Sequence, residues 1–119
     1  MARLTDPDLL AKYHQVLRGW AIEGNIELVG RAQRGLRDTL DGVAGREFKE
    51  ALYRHVFDEN GEIDQVREQR EQWRALWEWH YDLRPTIRGL RVYVETRLFP
   101  EAFGSRQEPM IYVVQIKPA

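Results

Sequence analysis

Leu90-Arg91-Val92-Tyr93-Val94-Glu95-Thr96-Arg97-Leu98-Phe99 decides the fold class. Leu90, Val92, Val94, Thr96 and Leu98 alternate with Arg91, Tyr93, Glu95, Arg97 and Phe99. Only an extended strand turns that period of two into two separate faces. On its N-terminal side Arg88-Gly89 is a turn, and Leu83 to Ile87 reads as a short strand whose Pro85 suits an edge position. On its C-terminal side Pro100 to Pro109 is a connecting loop. Met110 to Lys117 follows as a last strand, with Met110, Tyr112, Val114 and Ile116 on one face. The expected sheet is a three-stranded antiparallel meander with residues 90–99 in the middle.

Upstream the period is helical. Asp6-Pro7 starts a first helix, because Asp accepts orphan N–H groups and Pro at the first helical position loses nothing. Leu10, Tyr13, Leu17, Trp20 and Ala21 then recur at helical spacing up to Gly24-Asn25. A second helix is expected from about Ile26 to Leu40, weakened by Gly30 and Gly35, a cost tolerated if a neighbouring helix packs closely against them. A third carries Phe48, Ala51, Leu52, His55 and Val56. The fourth and longest is expected from about Glu62 to Tyr81, with Val66, Trp73, Trp77 and His80 on one face and Arg67–Glu71 and Arg74–Glu78 as i,i+4 pairs. Trp79 points away from that stripe. The reading is one α+β domain over 1–119: about four N-terminal helices (1–81) packed on the C-terminal three-stranded meander (82–119). Leu17, Trp20, Leu36, Leu52, Trp73 and Trp77 are its expected helical core, with Val92, Val94 and Val114 from the sheet.

Composition narrows the chemistry. The 119 residues are 43% hydrophobic and 31% charged, an ordinary globular balance, with no cysteine for disulfides, thiol nucleophiles or thiolate-bound zinc. Residues 1–20 carry Asp6, Asp8, Lys12 and Arg18 and lack the apolar run of a signal peptide, so a cytoplasmic setting is expected. Net charge is −1, unevenly placed: residues 1–83 hold 12 basic and 16 acidic side chains, residues 84–119 hold 6 and 3. That balance gives only weak support to a nucleic-acid partner.

Most familiar motifs fail. Asp58-Glu59-Asn60-Gly61 resembles the middle of a calcium loop, but registering Gly61 as its sixth residue puts Val56 first and Arg67 twelfth, so both outer ligands are missing. His14, His55 and His80 lie far apart, and Glu78 and Asp82 beside His80 make at most a weak metal site. There is no glycine-rich phosphate loop, and Ser105, the only serine, lacks the context of a nucleophile elbow. No cofactor or metal is expected.

Two functional readings remain, both on the outer face of the sheet. Alternation turns Arg91, Tyr93, Glu95 and Arg97 away from the helices. Phe99, Ile111 and Val113 are expected there too, and Trp79 lies off the main stripe. An outer face mixing aromatic, apolar and Arg side chains is expected to bind a protein partner or a second copy, as a non-catalytic regulatory module and homodimer. The alternative is a metal-independent ribonuclease using Glu95, Arg97, Tyr93, Arg84 and His80, because Arg, Tyr and Glu together hold a phosphate and move a proton. In layout alone, helices followed by a closing sheet with charged outer residues, the chain resembles the small bacterial toxins of the RelE/ParE class. Their usual basic charge is absent here.

Overall fold

A computed structural model describes residues 2–100 and 108–119. The sheet is larger than a meander. Its strands are β1 (Ala2–Arg3), β2 (Ile26–Leu28), β3 (Asp64–Arg67), β4 (Trp79–Leu83), β5 (Thr86–Ile87), β6 (Leu90–Phe99) and β7 (Met110–Pro118). They lie in the order β1-β3-β4-β6-β7-β2, with β5 paired to β6. β2 runs parallel to β7 and every other pairing is antiparallel, so the sheet is mixed. The helices are α1 (Pro7–Arg18), α2 (Gly30–Thr39), α3 (Gly45–Phe57) and the single turn α4 (Glu71–Arg74).

Local chemistry accounts for part of this. The Asp6 carboxylate accepts the N–H groups of Asp8 and Leu9, both at 3.0 Å, and starts α1 as its sequence requires. β6 occupies residues 90–99 and lies between β4 and β7. Val92, Val94, Thr96 and Leu98 face α1, α2 and α3, sharing one core with Tyr13, Leu17, Ala32, Leu36, Phe48 and Leu52. Inside it the Tyr13 hydroxyl pairs with Thr96 Oγ1 at 2.8 Å, and Thr96 donates to the Tyr81 carbonyl at 2.7 Å. Gly35 is where α2 meets β7: a Cβ there would lie 2.3 Å from the Ile116 carbonyl oxygen. The close neighbour of this glycine is therefore a strand and not the helix expected.

The expectation of about four helices on a three-stranded meander is overturned at two segments. Residues 62–81 are not one helix but β3, α4 and β4. There the helical spacing of Val66, Trp73 and Trp77 is outweighed by ladder bonds to other strands, with Val66 opposite His80 and Tyr81 opposite Thr96. Residues 26–28 likewise leave the expected second helix to pair with Ile111–Val113. Leu17, Leu36, Leu52, Val92 and Val94 are buried as expected. Trp20, Trp77 and Val114 are only half-buried and Trp73 is 42% exposed, because the helix that was to bury the two later tryptophans does not form.

β7 corrects a second expectation. Glu95 faces Gln115 but Thr96 faces Val113, so Val114 is an extra residue in the ladder. Such a bulge reverses the alternation beyond it. Ile111, Val113 and Ile116 all point into the helix-covered core, where Ile111 and Val113 have no exposed surface. They are not on the outer face. The interior of the loop Pro100–Pro109, including Ser105, lies outside the described residues.

Candidate functional site

The outer face is built on β4 and β6 by the same alternation that fills the core. Tyr81 and Leu83 point inward, so His80 and Asp82 point outward beside Tyr93, Glu95 and Arg97. All five residues of the ribonuclease expectation, Glu95, Arg97, Tyr93, Arg84 and His80, gather on this face. They fall into two groups with different partners.

The first group is a hydrogen-bonded chain. His80 Nδ1 lies 2.8 Å from Asp82 Oδ1, and the Tyr93 hydroxyl donates to Asp82 Oδ2 at 3.0 Å. An ionised carboxylate only accepts, so Nδ1 carries the ring proton and a neutral His80 presents Nε2 as a base. Two cations flank the tyrosine: the Arg84 guanidinium carbon and the Lys117 ammonium lie 5.3 and 5.1 Å from its ring centre. Arg84 is itself held by Asp64 at 2.6 Å. Burial first, then the Asp82 charge and hydrogen bond, push the Tyr93 hydroxyl well above its ordinary value, so it keeps its proton at neutral pH.

The second group is a four-residue ion network. Arg70, just before α4, grips Glu68 through Nε at 2.8 Å and Nη2 at 3.1 Å, and its backbone N–H adds a third bond at 2.9 Å. The same guanidinium reaches Glu95. Arg97 bridges Glu68 at 2.5 Å and Glu95 at 3.5 Å, and donates to the Trp79 carbonyl at 3.2 Å. Glu68, Glu95 and Arg97 are almost wholly buried. Burial alone raises the Glu68 carboxyl, but hydrogen bonds from Arg70 and Arg97 outweigh it and hold the group at about 2. Glu95 and Arg97 are thus held in ion pairs with Arg70 and Glu68 and with each other. They pin the β3–β4 connection over the sheet.

That connection forms one side of a pocket of about 410 Å³. Trp77 stands edge-on to Phe99 and Tyr112, with ring centres 6.1 and 6.5 Å away, and Arg97 lies 5.9 Å beneath it. Trp73 and Val29 complete the apolar walls, while Arg31 and Gln115 supply polar atoms.

The residues expected to form an interface are dispersed. Tyr93 and Phe99 are on the outer face, but Phe99 packs against Trp77 and Tyr112. Arg91 is exposed. Trp79 turns toward the core, with the Arg67 guanidinium 4.5 Å above its ring. Glu78 and Asp82 do not frame His80 on a helix. Asp82 is its hydrogen-bond partner, and no cluster of metal-binding side chains occurs among the described residues. Asp82 as a partner of His80 was legible in the two-residue spacing of 79–83, whereas Glu68 and Arg70 gave no local signal. No helix among the described residues is long and apolar enough to cross a membrane. Compared with known proteins, the chain matches no family model, no curated protein and no solved structure.

Proposed function

We propose that this protein is a cytoplasmic, metal-independent ribonuclease whose chemistry lies in the His80–Asp82–Tyr93 chain. One observation carries the reading: a base and a protonated acid share one buried carboxylate, with Arg84 and Lys117 beside them. His80 Nε2 removes the proton of an RNA 2′-hydroxyl, and the 2′-oxygen forms a bond to the adjacent phosphorus. The bond from phosphorus to the 5′-oxygen breaks, and the departing oxygen takes its proton from Tyr93. The products are a 2′,3′-cyclic phosphate and a 5′-hydroxyl. Arg84 and Lys117 offset the charge that builds on the phosphoryl oxygens. Asp82 touches both residues, so the proton gained by His80 has a short route back to Tyr93.

The test is incubation of purified protein with RNA, including translated message, in the presence of a chelator. Cleavage is expected, and His80→Ala and Tyr93→Phe each slow it about a hundredfold, the usual scale of a proton-transfer group. Intact RNA, or full activity in both variants, removes the reading.

Self-association or partner binding through the same side of the molecule is a second reading. Its support is Leu76, which is 71% exposed beside the exposed Trp73. Light scattering at micromolar concentration decides it: a dimer that Leu76→Asp dissociates without loss of fold supports it, and a monomeric wild type removes the homodimer.

A further inference from the structure

The tryptophan-walled pocket adjoins the cleavage site but takes no part in the chemistry proposed there. Glu95 and Arg97 line it, and Tyr93 lies two residues before Glu95 on the same strand. Its volume of about 410 Å³ is within the usual range for a small-ligand site. Its polar base is prebuilt, since Glu95 and Arg97 are each only 3% exposed and already paired. A charged group entering deeply would have to break those pairs. A neutral planar ring would not, and the walls suit one. Trp73 leaves 42% of its surface open and Tyr112 is half-buried. The Gln115 amide adds one donating and one accepting end, the pattern that reads the edge of a heterocycle. At the mouth the exposed Arg31 is placed for an anion attached to that ring.

We infer that this pocket is a subsite for one unpaired nucleobase of the RNA substrate, stacked on Trp73, an assignment that rests on the ribonuclease function proposed above. A ring with stacking faces, polar edges and an anionic backbone matches the aromatic wall, Gln115 and Arg31 together. The backbone then runs from Arg31 toward Lys117 and Arg84, where the scissile phosphate meets Tyr93. A base held in a duplex cannot enter, so the subsite selects single strands.

The experiment measures fluorescence anisotropy of a labelled 2′-O-methyl oligoribonucleotide, which lacks the attacking hydroxyl and stays intact. Trp73→Ala is expected to weaken binding about tenfold, the scale of one base–aromatic stack. An abasic residue at one position of the oligonucleotide is expected to cause the same loss, and the two changes together no more than either alone. Unchanged affinity in Trp73→Ala, losses that multiply, or equal affinity for the duplex would each overturn the subsite. In those cases cleavage by wild type and its loss in His80→Ala still uphold the ribonuclease. Conversely, Trp73-dependent binding by a protein that cleaves no RNA keeps the subsite and overturns the catalytic assignment. A wild type that binds no RNA overturns both.

Discussion

Arg97 on β6 holds the Glu68 carboxylate at 2.5 Å across the outer sheet face, and neither side chain is more than 4% exposed. Glu68 begins the connection that carries Trp73 and Trp77, so this one pair decides where the pocket wall stands. Removing one partner strands a buried charge, which costs far more than the pair contributes relative to apolar residues.

The network predicts a stability change with a defined sign. The Glu68 carboxyl sits at about 2, against 4.5 for an unperturbed group. Its contribution is therefore fully present above about pH 4.5 and is lost as pH falls toward 2. Urea unfolding should show that decline in wild type and a weaker one in Glu68→Gln. At pH 7 the variant should be less stable by about 3 kcal/mol, following the shift in ionisation. Equal pH dependence in the two proteins would show that Glu68 is not held by the arginines.

Asp82→Asn should affect rate more than fold. Asparagine fills the same space but no longer requires a proton on His80 Nδ1, so cleavage should fall about a hundredfold or more. Burial is the first cause of the raised Tyr93 hydroxyl and the Asp82 charge the second. The variant should therefore ionise Tyr93 at lower pH, visible as a difference in tyrosinate absorbance. An unchanged titration would separate Tyr93 from Asp82.

Gly35→Ala should destabilise the protein although alanine is the better helix former by about 1 kcal/mol. The new methyl would meet the Ile116 carbonyl oxygen at 2.3 Å, and the backbone oxygen of a paired strand cannot swing aside as a side chain would. Overpacking of this kind costs about 1–3 kcal/mol. A more stable variant in urea melts would mean that α2 stands further from β7.

The two tryptophans of the pocket should separate in the same assay. Trp73→Ala removes a side chain that is 42% exposed and should cost less than about 1 kcal/mol. Trp77→Ala removes the contacts with Phe99, Tyr112 and Arg97 and should cost about 2 kcal/mol or more. Equal losses would show that Trp73 belongs to the packed wall.

By itself the sequence determined those features whose causes lie within a few residues. Asp6-Pro7 caps α1 because donor and acceptor are neighbours, α3 forms because Phe48, Leu52 and Val56 share a stripe, and residues 90–99 alternate because a strand must. The same alternation set Tyr93, Glu95 and Arg97 on one face of β6. Tertiary structure alone decided the rest. Residues 62–81 carry a helical spacing, yet they form strands because β3 and β4 gain their hydrogen bonds from residues far along the chain. Val114 reverses the faces of β7 because the register on β6 requires an extra residue, not because of anything in its own neighbourhood. Glu68 carries no local sign of burial, and Arg97, more than twenty residues away, supplies the partner that allows its charge to be buried, while Arg70 reaches across to Glu95. A local period records what a segment can do alone, and these segments settle only against strands they do not adjoin.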